Sequence, residues 1–335
     1  MNRLSYKFGL FFIFTAITLV SSIFVFKHNA LAQLTNSDVS VEISPEAPGP
    51  FENVTVSLSS FAVDLNKATI QWLVNGQRKP GGTGIKSVSF STGDIGTKTT
   101  INIVIFTSSV NKIEKTVIVE PNQIDLLWEA TDSYVPPFYE GKALPASESL
   151  IKVVAFPNGG SKTIKPETLV YSWKRNFVSA QQESGYGKYY YEFRTSYFNQ
   201  GENVSLEASS VNQGYRSVGQ LRLTTTKPKI VFYEEKPLEG VVYQNALNEG
   251  FSIKGGEATI VSEPYFYSVN MDPLSNDLLY AWSINNKPIS APVKKNTLIL
   301  RTGGQTGRAK VDLSIESIPR LFQVVKQTFF VDITQ

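Results

Sequence analysis

The sequence predicts an all-β chain of three tandem β-sandwich domains behind an N-terminal apolar segment. Three observations carry that prediction. A short phrase recurs, as IQWLVNG at 70–76, VYSWKRN at 170–176 and LYAWSINN at 279–286. Its tryptophans, Trp72, Trp173 and Trp282, lie 101 and 109 residues apart, about the length of one sandwich domain. Between them run short stretches of alternating apolar and polar residues, divided by turn residues and without helical periodicity. A chain of 335 residues has room for two or three separate cores.

The first 32 residues stand apart. Arg3 and Lys7 precede an apolar run over 8–26, and Ala30-Leu31-Ala32 follows. A basic start, an apolar stretch and an A-x-A pattern are the marks of an export signal, with Gln33 as the first mature residue. The 19-residue run is long enough to approach a bilayer span, so a retained membrane anchor is the alternative. Without this segment the chain holds 29 basic and 29 acidic residues and is formally neutral. It therefore lacks the cationic footprint of a nucleic-acid binder. Membrane contact is expected only through the N-terminal segment, if it is not cleaved.

Two absences narrow the chemistry. The single histidine, His28, lies in the export segment, and the chain has no cysteine. The remainder cannot form a Ser-His-Asp or Cys-His nucleophile system, nor supply the usual zinc and copper ligands. No catalytic, cofactor-binding or metal-binding residue is assigned from the sequence.

The first domain is placed at 33–121. VSVEIS, NVTVSLSS and the Trp72 strand alternate, and Asn75-Gly76 is the dipeptide best suited to a tight hairpin. The glycines of 81–84 read as a turn, and SVSFS, TINIVIF and KTVIVE complete six or seven strands. The second domain, 122–228, opens with IDLLWEA and an aromatic, proline-rich stretch, TDSYVPPFYEGKALP. The third, 229–335, opens with KIVFYEEKPLEGVVYQNAL, which repeats that layout. Gly96, Gly201 and Gly307, at 24, 28 and 25 residues after the tryptophans, read as turn glycines before an alternating strand.

A tryptophan at the middle of a sandwich strand faces the thickest part of the core and buries about 200 Å². Trp72, Trp173 and Trp282 are thus expected in the core, sharing a face with residues two positions away. Tyr171-Ser172-Trp173 and the run from Tyr280 to Asn286 resemble bacterial immunoglobulin-like and polycystic-kidney-disease-like surface repeats. The resemblance implies an immunoglobulin-like fold and an extracytoplasmic spacer, adhesion or assembly role. The usual Gly-Asp-Gly is missing, and no catalytic residue carries over.

The second domain supplies the candidate ligand contacts: Trp128, Tyr134 and Tyr139, expected near the first junction, and Tyr189 and Tyr191. Their rings could stack on sugars, or they could pack within the core. Glu129 with Glu140, and Glu234 with Glu235, are the pairs that would serve a histidine-free hydrolase. Asp272, Asn276 and Asp277 share one loop but lack calcium-loop spacing. The sequence thus points to a non-catalytic envelope or surface protein whose partner is an envelope protein or a glycan. A carbohydrate- or peptide-binding module is the alternative, and a carboxylate hydrolase comes third.

Overall fold

The computed structural model describes residues 38–108, 111–198, 201–212, 214–247, 251–254, 256–289 and 294–334. The N-terminal segment, and with it the expected export signal or anchor, lies outside the described residues.

The first sandwich contains β1 (Ser40–Ser44), β2 (Asn53–Ser59), β3 (Thr69–Val74), β4 (Gln77–Thr83), β5 (Ser87–Ser91), β6 (Thr99–Phe106) and β7 (Lys112–Val119). One sheet is ordered β1-β2-β5 and the other β4-β3-β6-β7. Period-2 alternation places Ile70, Trp72 and Val74 of β3 inward beside Ile101, Ile103 and Ile105 of β6. Val54, Val56, Val88 and Phe90 face them from the other sheet.

The second sandwich contains β8 (Gln123–Ala130), β9 (Leu150–Asn158), β10 (Leu169–Arg175), β11 (Val178–Ser179), β12 (Gly185–Tyr186), β13 (Tyr190–Arg194), β14 (Gly201–Ser210) and β15 (Arg216–Thr224). Its sheets run β13-β9-β8 and β11-β10-β14-β15, with β12 also on β10.

The third contains β16 (Lys229–Lys236), β17 (Gly240–Ala246), β18 (Phe251–Lys254), β19 (Glu257–Tyr265), β20 (Leu278–Ile284), β21 (Lys287–Pro288), β22 (Thr297–Arg301), β23 (Gly307–Ser317) and β24 (Val324–Thr334). Its sheets run β17-β16-β19-β22 and β18-β24-β23-β20-β21, with β18 parallel to β24.

One local device recurs in all three. Trp72, Trp173 and Trp282 are buried, and each indole N–H donates to a backbone carbonyl shortly after its strand. The acceptors are Ile85 at 3.1 Å, Lys188 at 2.8 Å and Lys295 at 2.9 Å. Each tryptophan strand ends in a two-residue turn with both residues left-handed: Asn75-Gly76, Asn176-Phe177 and Asn285-Asn286. That geometry matches the twist of a tight hairpin. The first asparagine of each turn also accepts the backbone N–H of the neighbouring strand, from Thr100, Asn203 and Lys310 at 2.8–2.9 Å.

Two glycine expectations are corrected. Gly81, Gly82 and Thr83 lie within β4, an edge strand that also accommodates Pro80. A Cβ on Gly81 would sit 2.6 Å from the carbonyl oxygen of Ile70, so close approach rather than turning accounts for it. Gly201 begins β14 without a left-handed φ, whereas Gly96 and Gly307 have φ of 77° and 147°.

Candidate docking surface

The sequence places the aromatics of 128–139 near the first junction; the structure takes Tyr134 and Tyr139 to the second. Trp128 lies on β8, packed against the second core, with the Lys142 ammonium 3.4 Å from its ring centroid. Tyr134 leaves its own sandwich and enters the core of the third. Its backbone N–H donates to the Tyr267 carbonyl at 2.8 Å, and its carbonyl accepts from Phe266 at 2.7 Å. Tyr139 stacks edge-on against Tyr265, with ring centroids 5.6 Å apart. Tyr189 is half-buried, and Tyr191 is buried against Trp173 at 5.8 Å. Tyr134 and Tyr191 therefore present no ring face to a ligand; alternation and the interdomain crossing turn them inward.

Around Tyr134 the two sandwiches share a buried polar network. The Tyr134 hydroxyl donates to Glu263 Oε2 at 2.6 Å, and Tyr243 donates to its Oε1 at 3.0 Å. Burial pushes the Glu263 carboxyl above its ordinary value, and the two phenols only partly offset this. Ser149 and Ser268 share a hydrogen bond at 2.9 Å. Gln323 Nε2 donates to the Ser147 carbonyl at 2.7 Å and to Ser268 Oγ at 2.9 Å, while its Oε1 accepts the Ser268 N–H. Arg194 donates to Asp132 at 2.8 Å on the second-domain side. Such groups are costly when left unpaired, so they hold the two domains in one arrangement.

A second buried carboxylate organises the adjacent surface. Glu202 accepts Arg175 Nε and Nη2 at 2.9 and 2.8 Å, Asn176 Nδ2 at 2.6 Å and the Ser196 N–H at 2.7 Å. Burial alone would raise its carboxyl, but these donors hold it below the ordinary value. The hairpin turn at 176–177 and the loop at 196–198 thus hang from one side chain. Beyond them Phe177, Tyr197, Phe198, Leu321 and Phe322 are exposed. Tyr197 and Phe198 pack on Phe322 of the third domain, with centroids 6.0 and 5.8 Å apart. Sequence reasoning missed Phe322, because no local pattern shows which loop of another domain it will meet.

The first junction is different. A cleft of about 950 Å³ lies there, lined by Glu46, Lys98, Glu120, Lys162, Glu207 and Arg216 among others. Arg216 pairs with both Glu46 and Glu207, and Lys162 pairs with Glu120. Each of these carboxylates therefore has a cation beside it.

Glu129 and Glu140 are exposed, and Glu234 and Glu235 are neighbours on β16. Asp272 accepts the Leu274 N–H, closing its own turn. Among the described residues, no group of three or more acidic, histidine or cysteine residues could hold a metal ion. No helix among them is long and apolar enough to cross a membrane.

No family model matches the chain, and no curated protein does either. Among solved structures it is similar to the fibronectin(III)-like modules of Clostridium thermocellum CbhA. That match has 13% identity over 56% of this chain and 94% of that one, with a TM-score of 0.29. It is also similar to the three N-terminal domains of the bacteriophage RB49 Highly Immunogenic Outer Capsid protein, with 8% identity, coverages of 89% and 99%, and a TM-score of 0.27. For the central fibronectin-III array of RIM-binding protein the values are 12%, 85%, 93% and 0.28. These likenesses concern the fold alone. The chain is an all-β array of three immunoglobulin-like β-sandwich domains.

Proposed function

We propose that this chain is a non-catalytic extracytoplasmic module that acts as a spacer and docking arm, with an envelope protein or a glycan as its partner. One observation carries the reading: the second and third sandwiches are joined by the buried Tyr134–Glu263 and Ser149–Ser268–Gln323 contacts. A joint of this kind suits a part that must hold its surface at a fixed distance and orientation. The export-like segment at 1–32 supports an extracytoplasmic site, and the lack of histidine and cysteine after residue 32 supports a non-catalytic role. The likeness to polycystic-kidney-disease-like repeats belongs to the same proposal.

The test is a fusion of the full chain to alkaline phosphatase, which is active only outside the cytoplasm. Activity in intact cells, lost when 1–32 is deleted, is the expected result; an inactive, cytoplasmic fusion overturns the reading. A glycan-binding alternative would use Tyr186 and Tyr190, which are exposed, rather than the buried Tyr134 and Tyr191.

A further inference from the structure

We propose that the solvent face of the second junction is a docking surface for a protein that presents a carboxylate beside an apolar anchor. This rests on the docking role above and gives it a site. The surface combines Phe177, Tyr197 and Phe198 of the second domain with Arg320, Leu321 and Phe322 of the third.

At the second position of the repeated hairpin turn, the first domain has Gly76 and the third has Asn286, residues that tolerate a left-handed backbone. The second domain has a phenylalanine there, with φ at 67° and a ring 90% exposed. A bulky residue in that conformation is strained, and its ring gains no burial in return. The fold would be better served by glycine or asparagine, and the ring is free for a contact outside the fold.

Phe198 is 84% exposed, while Tyr197 and Phe322 are about half exposed. Adjacent exposed apolar groups of this size mark interaction surfaces. The patch continues the established contact between domains, since Gln323, next to Phe322, is bonded into the buried junction. The rings of Tyr197 and Phe198 are inclined to Phe322 by 75° and 64°. That makes a ridged surface that fits branched or aromatic side chains and gives no flat platform for a run of sugar rings.

Charge selects the partner further. Arg320 has no carboxylate within ion-pair distance among the described residues. Its Nη1 donates to the Pro319 carbonyl at 3.2 Å, and its Nε is buried without a partner. A half-buried guanidinium that no carboxylate neutralises, next in sequence to the exposed Leu321 and Phe322, fits a planar carboxylate with an apolar neighbour.

The experiment uses the chain from residue 33 onward, which holds all three cores, against a phage-displayed library of random twelve-residue peptides. The expected outcome is enrichment of peptides with Asp or Glu close to an aromatic residue or leucine. Their binding should fall roughly tenfold or more in Phe198→Ser, Arg320→Gln and Phe177→Gly, as hot-spot truncations do. It should survive Phe61→Ser, which removes an exposed ring elsewhere. Phe177→Gly is the discriminating variant, because relief of strain keeps or raises its melting temperature while docking weakens. No enriched family, or binding indifferent to these variants, overturns the proposal. So does self-association in sedimentation that Leu321→Ser abolishes, or saturable binding of a cell-wall glycan at this patch. None of these outcomes bears on the phosphatase assay, which tests export separately.

Discussion

Tyr134, in a loop of the second sandwich, donates its hydroxyl to Glu263 of the third at 2.6 Å. The two tyrosines that meet on Glu263, Tyr134 and Tyr243, come from the two domain openings with the same sequence layout. Tyr134→Phe leaves the buried Glu263 with one donor. The expected cost is about 1–3 kcal/mol in chemical denaturation, the usual penalty for a buried acceptor losing a partner. The loss should appear in the unfolding of the second and third domains and leave the first unchanged.

Glu263 also gives the junction a pH dependence. Burial raises its carboxyl above 4.5, so the folded chain binds the proton more tightly than the unfolded chain. The stability it contributes is complete below 4.5 and is lost as pH rises through its raised value. Relative to Glu263→Gln, the wild type should therefore gain stability on acidification. Glu202 has the opposite sign: its carboxyl is held down, so its contribution is present at neutral pH and lost as pH falls through its lowered value. Denaturation profiles of the two Gln variants against pH should diverge in opposite directions from the wild type.

The repeated tryptophans should behave alike. Phenylalanine at Trp72, Trp173 or Trp282 removes the indole donor, orphans the carbonyl of Ile85, Lys188 or Lys295, and leaves part of the site unfilled. Each substitution should cost about 2–4 kcal/mol and destabilise its own sandwich most, as measured by hydrogen exchange of the amides of each sandwich.

The turn asparagines separate backbone strain from hydrogen bonding. Asn75→Ala places alanine at φ 49° and removes the acceptor for Thr100, so a loss of about 1–3 kcal/mol is expected. Asn75→Gly keeps the conformation and loses only the hydrogen bond, so it should recover roughly half of that. Equal effects in thermal melts would contradict this account of the turn.

What the sequence revealed follows from the range of the forces involved. The strands and the tryptophan positions were legible because period-2 alternation and Asn turns are local. The hairpin at Asn75-Gly76 is an example, and Trp173 with Tyr171 another. The destination of Tyr134 was not legible. Its crossing into the third core depends on the placement of Tyr267 and Glu263, more than 120 residues away. Tyr191 looked like a ligand contact because alternation gives the two faces of a strand without saying which is inward. The glycines of β4 were misread because a proline and paired glycines resemble a turn, when an edge strand admits both. Phe322 carries no motif at all; its significance comes from Tyr197 and Phe198, which the fold brings against it from another domain.

The most direct test of the account is the distance across the second junction. The chain has no cysteine, so Gln182→Cys with Glu316→Cys places two unique spin labels, one on each sandwich. Electron–electron resonance should give a single narrow distance distribution that broadens in Tyr134→Phe. A broad or multi-peaked distribution in the otherwise wild-type chain would contradict the claim that the second and third domains form one arm.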